Sequence, residues 1–476
     1  MKAHNFLAGL LMVGILAMSL FMIGCEGKEG PAGPQGPEGP QGPPGQDGED
    51  GTVGDGPTYL GNSASSCGHC HSATTSQWMG THHAAAFDNL DAESQSNPYC
   101  IQCHTTGFDD VFDHDGNLIA EGLDQRGYDD EPRDATKGVG CESCHGPLGP
   151  ALTHTPDVDG GLTGETCDKC HEQNEEWAET RHAMTKENAG GQEAFFAEWG
   201  RSSCWACHIS EGYLAVVDPD WSGVVPTVTM SNSITCVTCH DPHNPQNEFY
   251  LRDLGPADLP TGGGEDGTVA YQITGWGSAQ TCAQCHHSRR DNNNIQGQIN
   301  NGSAHPGPHE SPQADMIAGT GCYEIPGLDY TDVRGEMLHS TSILEDVCVS
   351  CHMPTIARGQ EGGPYYGHEF EPKLFKCQTC HGSATSFDVG GVQTEVADLL
   401  EQLGALLPQE DGHVMEAMDT LSWTRPQREA GYAYYFVEAD GSHGVHNRDY
   451  AVRILTNAIN HLTAAMAEEK RTGVRG

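Results

Sequence analysis

Cysteine and histidine are the residues best suited to chemistry in this chain, and most of them fall into one repeated pattern. The pattern is Cys-x-x-Cys-His, and its nine copies use eighteen of the 20 cysteines. With this composition, chance predicts roughly 0.05 copies. The cysteines are Cys67, Cys70, Cys100, Cys103, Cys141, Cys144, Cys167, Cys170, Cys204, Cys207, Cys236, Cys239, Cys282, Cys285, Cys348, Cys351, Cys377 and Cys380. The histidines that follow them are His71, His104, His145, His171, His208, His240, His286, His352 and His381.

The spacing of the pattern has a mechanical explanation. Two thiols three positions apart on one helical turn both reach the vinyl groups of a single haem and form thioethers, and the next residue reaches the iron. Zinc sites do not require a histidine directly after every cysteine pair, and disulfides leave those histidines unexplained. The sequence therefore predicts nine covalently bound haem c groups, each with a motif histidine on its iron.

The composition supports this interpretation because ordinary apolar side chains are scarce among the 476 residues. Leu, Ile, Val and Phe make up about 16% of the chain, which at a formal charge of −44 normally indicates disorder. Haem groups would supply the missing apolar interior. The negative charge repels phosphate backbones and excludes nucleic acid as a partner. It either keeps a haem-rich body soluble or docks a basic partner, such as another cytochrome.

The predicted fold is mostly α-helix and irregular loop, wrapped on a stacked haem core, with little sheet, because the chain has 61 Gly and 27 Pro. The motifs follow one another at unequal intervals, which excludes a solenoid of identical repeats. We expect a nonahaem cytochrome domain over residues 57–385 and a haem-poor helical cap over residues 386–476. One cap helix is predicted from the stripe Val392, Val396, Leu399, Leu400 and Leu403. A second begins near Asp449, with one face formed by Tyr450, Ile454, Ala458, His461 and Ala465.

The N-terminus has the pattern of an exported lipoprotein. Residues 1–24 combine a charged start with an apolar run and a small residue before Cys25, which makes Cys25 the expected site of lipidation. An uncleaved membrane anchor or an ordinary signal peptide are the alternatives, and each of them exports the chain. By resemblance to bacterial lipoproteins, Glu26 favours the outer membrane, facing the periplasm or the cell surface.

Residues 25–56 continue with glycine at every third position from Gly27 to Gly54. This is the collagen repeat, and it predicts a collagen-like stalk between the lipidated cysteine and the haem domain. The stalk either joins chains into a homo-oligomer or acts as a stiff single-chain spacer.

The second ligand of each iron decides the function. A haem with histidine on both faces carries electrons, whereas a haem with an open face can bind and transform a small molecule. After the signal peptide and the poorly placed His69 and His287 are set aside, fourteen histidines remain for nine irons, so nothing requires an open site. His83 and His182 each precede alanine, and His154 follows a Gly-Pro-rich turn. His243 stands too close to His240 to reach the opposite face of the same iron, so we expect it to serve a neighbouring haem.

Several segments around the motifs resemble the multihaem c-type cytochromes, and more narrowly the superfamily of pentahaem nitrite reductase and octahaem hydroxylamine oxidoreductase. The segments are residues 141–147 with His154, residues 239–244, 308–316, 351–354 and 441–447. The resemblance covers about residues 60–470. It implies eight distal ligands, namely His83, His154, His182, His243, His309, His339, His368 and His446. The ninth is left open among His413, His461, His305 and no histidine at all.

The chain also departs from that superfamily. It has no Cys-x-x-Cys-Lys motif, which the nitrite reductases usually carry on the catalytic haem, and none of its 14 tyrosines can be assigned to the haem cross-link of the hydroxylamine oxidoreductases. The leading hypothesis is therefore an exported electron carrier of anaerobic or extracellular respiration with other redox proteins as partners. A reductase or oxidase of nitrogen or sulfur oxyanions, and a subunit of a cytochrome filament, are the alternatives.

Cys322 is the one cysteine outside the motifs besides Cys25. It is either a haem thiolate ligand, an intermolecular disulfide partner or a buried, inert thiol.

Overall fold

A computed structural model describes most of the chain beyond residue 57. The described residues are 58–62, 67–149, 163–185, 202–217, 232–252, 254–259, 271–309, 311–335, 339, 343–357 and 364–473. The predicted signal peptide over 1–24, the lipidated Cys25, the collagen-like stalk over 25–56 and the candidate ligand His154 lie outside them.

Short helices dominate the described part of the chain. In chain order they are α1 (Cys67–Cys70), α2 (Ser72–Trp78), α3 (Pro98–Ile101), α4 (Cys141–His145), α5 (Gly164–Asp168), α6 (Gln173–Ala178), α7 (Ser202–His208), α8 (Ser210–Val217), α9 (Cys236–Cys239), α10 (Gln280–Ala283), α11 (Asn292–Asn300), α12 (Gln313–Ile317), α13 (Val347–His352), α14 (Leu374–Cys380), α15 (Val392–Gly404), α16 (Arg425–Asp440) and α17 (Arg448–Thr472). Single 3₁₀ turns lie at Ser94–Ser96, Asp134–Thr136, Glu248–Tyr250, Gly277–Ala279 and Val389–Gly391.

Strands are few and short, and they pair only into antiparallel two-stranded ribbons among the described residues. The pairs are β1 (Val111–Phe112) with β2 (Leu118–Ala120), β3 (Ala257–Leu259) with β4 (Tyr271–Ile273), β5 (Thr355–Ala357) with β6 (Pro364–Tyr366), and β7 (Gln409–Glu410) with β8 (His413–Val414). The predicted class, mostly α and irregular loop with little sheet, is confirmed.

Each of the nine motifs begins in one of the short helices, so one helical turn carries both cysteines toward the same side. The chain usually leaves the helical conformation at or directly after the motif histidine: His240, for example, is extended (φ −108°, ψ 138°). Gly146, after His145, has φ 76°, a left-handed conformation that glycine adopts without strain. The motif helices are therefore short attachment turns, although some also pack on a neighbour, as α7 does on α8.

An apolar core is concentrated in the C-terminal part of the chain. Helices α15, α16 and α17 pack together and enclose side chains such as Phe436, Tyr450 and Leu403, all with essentially no exposed surface. Residues before the predicted cap, including Ile295 on α11 and Met316 on α12, join the same core. The cap is thus continuous with the segment between the seventh and eighth motifs, and the predicted helices over 392–403 and from 449 correspond to α15 and α17. No described helix has both the length and the apolar character that a membrane crossing requires.

A large cavity lies among the second to seventh motifs, and a smaller apolar cluster around Trp276 and Ala283 packs beside the seventh. The cavity measures about 2160 Å³ and is lined by motif cysteines and histidines from His104 to His286. An ordinary ligand pocket holds roughly 300–1,000 Å³, so this space fits several groups rather than one.

One buried carboxylate holds two separate segments of this region together. Glu142, inside the third motif, is 1% exposed. Its two carboxylate oxygens accept hydrogen bonds from the backbone N–H groups of Leu60 (3.1 Å), Gly61 (2.7 Å) and Leu148 (2.9 Å). One side chain thereby fastens the first described segment to the loop after the third motif.

We expect the Glu142→Gln variant to lose about 1–3 kcal/mol of unfolding free energy, because one carboxylate oxygen is replaced by an amide nitrogen that cannot accept a buried hydrogen bond. Urea unfolding followed by far-UV circular dichroism measures the change. Glu121→Gln, at an exposed position, is the control and should unfold like the wild type. Equal stability of E142Q and the wild type would contradict the role given to Glu142.

Candidate functional site

Seven motif histidines each face a second histidine from a distant part of the chain. Their ring centroids lie between 5.8 and 6.3 Å apart. The pairs, motif histidine first, are His145 with His243, His171 with His83, His208 with His309, His240 with His368, His286 with His182, His352 with His446, and His381 with His339.

The separation of the rings fits a metal ion between them. An imidazole nitrogen binds a first-row metal at about 2.0 Å, and the ring centre lies about 1.1 Å behind it, so two rings on opposite sides of one ion stand about 6.2 Å apart. Direct packing of two rings does not require this uniform spacing, which recurs at interplanar angles from 5° to 89°. The residues present therefore fit haem iron held between two imidazoles.

Hydrogen bonds donated by Nδ1–H orient many of these rings. Nδ1–H of His240 donates to the Phe249 carbonyl (2.7 Å), and that of His352 donates to the Phe370 carbonyl (2.8 Å). An acceptor at Nδ1 fixes the tautomer and leaves Nε2 free to bind a metal. The same arrangement holds for His368 with Tyr366 O, His339 with Val445 O, His309 with Ser311 Oγ, His286 with Gln313 Oε1 and His446 with Asp440 Oδ1.

Burial keeps most of the paired imidazoles neutral. It lowers the pKa of His83, His182 and His309 to about 4, so these rings are neutral at pH 7, which is the form that binds a metal. Burial also lowers the pKa of His171, His208, His240, His286, His352 and His368. At His446 burial again acts to lower the pKa, but the adjacent Asp440 carboxylate outweighs it and the pKa is raised.

A repeated local structure presents two of the facing histidines. Trp78 Nε1–H donates to Val139 O (3.1 Å), and the Val139 N–H donates to His83 O (2.9 Å). Trp177 Nε1–H likewise donates to Ile234 O (2.9 Å), and the Ile234 N–H donates to His182 O (3.2 Å). Thr81 Oγ1 and Thr180 Oγ1 each donate to the tryptophan carbonyl at 2.7 Å.

Neither tryptophan was predicted from the sequence to position a ligand, although a sequence signal for both exists. Trp-x-x-Thr-x-His-Ala recurs with its tryptophan eleven residues after Cys67 and ten after Cys167, and each clasped residue stands two positions before a motif cysteine, Cys141 or Cys236. The first three motifs and the next three therefore form an internal duplication.

The remaining candidate histidines lie elsewhere. His71 follows α1, and its backbone N–H donates to Cys67 O (2.9 Å). His104 Nδ1–H donates to Ala86 O (2.7 Å), and in the described part of the chain no histidine ring faces it at the spacing of the seven pairs. His461 bonds Glu429 in the C-terminal core (2.9 Å), while His305 and His413 are exposed.

The cysteines of different motifs approach one another and connect the motifs in a series. Cys67 lies close to Cys141, Cys103 to Cys170, Cys167 to Cys236, Cys207 to Cys285, and Cys282 to Cys348. Cys144 also lies near Cys170, Cys239 near Cys282, and Cys351 near Cys377. The motifs follow the order first, third, fourth, sixth, seventh, eighth and ninth, with the second joined to the fourth and the fifth to the seventh.

Cys322 is not part of this series. It is 3% exposed within the C-terminal core, its backbone N–H donates to Tyr450 Oη (3.2 Å), and burial raises the pKa of its thiol well above the usual value. A buried thiol of this kind is an inert packing residue.

Comparisons with known proteins agree with the motifs. The family model described as cytochrome c554 and c-prime matches residues 66–146, which contain the first three motifs. The C-type polyheme cytochrome OmcB of Geobacter sulfurreducens is 26% identical over 168 residues, in both strains compared, and the match covers 30% of this chain and 19% of OmcB. The chain is a multihaem c-type cytochrome. The cytochrome binds haem c covalently, and it spans about a fifth of the length of its curated relatives.

Two solved structures were similar enough to be compared with the fold of the cytochrome. The outer cell wall cytochrome OcwA superposes with a TM-score of 0.52 at 20% identity, over 85% of this chain and 99% of OcwA, which shows a shared fold. The cytochrome c nitrite reductase of Desulfovibrio desulfuricans gives a TM-score of 0.28 at 14% identity, over 57% of this chain and 66% of that chain, too low to support an argument. The narrower resemblance to the nitrite reductase superfamily stays a hypothesis.

We expect Trp78→Phe and Trp177→Phe each to cost the cytochrome about 0.5–1.5 kcal/mol for the lost indole hydrogen bond, beyond the cost of the smaller ring. Chemical unfolding followed by circular dichroism measures the loss. Trp423→Phe is the matched control, since the buried Trp423 Nε1–H has no hydrogen-bond partner in the described structure. Losses at Trp78 and Trp177 no larger than that at Trp423 would contradict the clasp.

Proposed function

We propose that the protein is an exported nonahaem cytochrome that conducts single electrons through haems held between two histidines. The seven histidine pairs at 5.8–6.3 Å carry this proposal, because they supply both axial positions from rings that are already oriented. A bound haem c supplies an iron that alternates between ferric and ferrous states. The distal ligands proposed are His83, His182, His243, His309, His339, His368 and His446, together with His154.

The protein's part in conduction is to close the iron to other ligands and to keep the sites adjacent. The two imidazoles of each pair would hold the iron and, in contrast to a His/Met pair, would give it a low potential. The closeness of cysteines from successive motifs places the attachment edges of neighbouring sites side by side along the series from the first motif to the ninth. Electrons enter at one end of this series and leave at the other.

The setting proposed is anaerobic or extracellular respiration, with other redox proteins as partners. The lipoprotein pattern ending at Cys25, the collagen-like stalk over 25–56 and the likeness to a cytochrome described as an outer cell wall protein all support export. We place the protein at the outer membrane, with the stalk holding the haem domain away from the lipid. Its formal charge of −44 favours a basic redox partner.

Reductive titration tests the proposed electron-conducting function. We expect the purified holoprotein to take up nine electrons per chain, and pyridine haemochrome analysis to give nine haems. The double variant Cys377→Ser/Cys380→Ser should take up eight, because the ninth motif ends the series and its loss leaves the others connected. Cys322→Ser is the control and should keep nine. Fewer than nine haems in the wild type would contradict the nonahaem assignment.

His104 favours a second candidate function. Its ring is oriented by Ala86, yet no imidazole among the described residues stands across from it. We propose that the haem held by Cys100, Cys103 and His104 has an open face that binds a small molecule, which is what a reductase or oxidase of nitrogen or sulfur species requires. Among the cysteine contacts of the described residues, the site joins the series through the fourth motif, as a terminal branch fed with electrons by the rest.

We expect the dithionite-reduced wild type to bind one equivalent of carbon monoxide per chain, measured from the Soret band, and its ferric form to show one high-spin haem in electron paramagnetic resonance. The double variant Cys100→Ser/Cys103→Ser should bind none. If the wild type binds no carbon monoxide and is entirely low-spin, a residue outside the described part, such as His154, fills the face and the enzyme hypothesis fails.

A further inference from the structure

We propose that Asp440 is a positioning residue that lowers the reduction potential of the haem attached at Cys348 and Cys351, by accepting a hydrogen bond from the distal ligand His446. The inference rests on the proposed ligation of that haem by His352 and His446. Asp440 lies outside the attachment motif, so the motif alone does not predict this function.

The contact between Asp440 and His446 is short, and the carboxylate is buried. His446 Nδ1 and Asp440 Oδ1 are 2.6 Å apart, and the Asp440 side chain has no exposed surface. The His446 ring faces the ring of His352 at 6.3 Å, so the carboxylate acts on the side of the imidazole opposite to the iron position. A carboxylate in this position is a charge-assisted acceptor, stronger than a neutral carbonyl.

The local backbone holds the carboxylate in place. Asp440 is the last residue of α16, and Gly441, with φ 73°, turns the chain back so that Ser442 N–H donates to Asp440 Oδ2 (3.2 Å). The Ser442 hydroxyl donates to the same oxygen. The His446 N–H in turn donates to Ser442 Oγ (3.2 Å), which closes a ring of contacts around the pair.

Six other paired histidines donate from Nδ1 to a neutral oxygen, such as Phe370 O for His352 on the opposite face of the same site. The comparable carboxylate, Asp241 beside His243, is 3.4 Å away, part-exposed and shared with Arg252. Among these Nδ1 contacts, that of His446 is the one made to a fully buried carboxylate.

The effect on the iron follows from charge. A carboxylate on the outer nitrogen increases the electron donation of the imidazole, and buried negative charge nearby favours the more positive ferric state. Both effects lower the potential. The eighth motif lies between the seventh and the ninth in the series. A lowered potential at the eighth haem therefore makes electron transfer through it to the ninth haem less favourable.

Redox titration of the holoprotein variant Asp440→Asn tests the inference. The amide keeps an acceptor oxygen for Nδ1–H but removes the charge, so we expect one haem of the nine to titrate at higher potential. The expected change is about tenfold in its ferrous-to-ferric ratio at fixed potential, which corresponds to about 59 mV for a one-electron couple. Visible and paramagnetic resonance spectra must show the wild-type haem count and low-spin state.

Glu429→Gln is the matched control. Glu429 is also a buried carboxylate of α16 bonded to a histidine, His461 (2.9 Å), but that histidine faces no motif histidine. E429Q should leave every potential unchanged. A D440N titration that overlays the wild type, or an equal shift in E429Q, would overturn the inference.

His446→Ala separates this inference from the ligation on which it rests. A new high-spin haem in His446→Ala together with an unshifted D440N means that His446 binds iron and Asp440 does not tune it. A fully low-spin His446→Ala variant means that His446 is not the ligand, which overturns both.

Discussion

The constraint on which this structure depends is that an imidazole from one part of the chain must stand opposite an imidazole from another. His83 and His171 are 88 positions apart in the sequence, and His240 and His368 are 128 apart, yet each pair lies near 6 Å. Ordinary domains bring distant segments together by burying apolar side chains, whose contacts are non-directional. Around the second to seventh motifs, whose residues line a large cavity, the facing histidines also bring distant segments together.

The C-terminal core supports the histidines of several sites at once. Gln313 accepts from His286 Nδ1–H and donates to Ala439 O at the end of α16. Six residues later, Val445 O accepts from His339 Nδ1–H, and His446 follows it. The apolar packing of α15, α16 and α17 thereby fixes ring orientations at the seventh, eighth and ninth motifs. A core built from Phe436 and Tyr450 is rigid enough for this because close-packed interiors have little free volume.

The sequence identified the attachment sites because that chemistry is local: two thiols and a histidine on one turn. It could not show which distal histidine meets which motif, because that pairing depends on the path of the whole chain. His243 illustrates this limit. Its spacing in the sequence excluded His240 as its partner, but the fold was needed to show that it faces His145. Helix α16 was also missed. It is buried on most of its sides, from Arg428 to Asp440, so it lacks the one-sided apolar stripe from which α15 was predicted.

The internal duplication allows the second motif to be compared with the fifth. The first, second and third motifs correspond to the fourth, fifth and sixth, and both branch sites, the second and the fifth, are equivalent members of this repeat. His208 of the fifth motif faces His309, which comes from the segment after the seventh motif. The equivalent segment for the second motif runs from His171 to Cys204, and its one histidine, His182, faces His286. The repeat thus supplies a distal histidine to the fifth motif from a segment whose counterpart, after the fourth motif, places its histidine elsewhere, which supports the second candidate function proposed for the haem attached at Cys100 and Cys103.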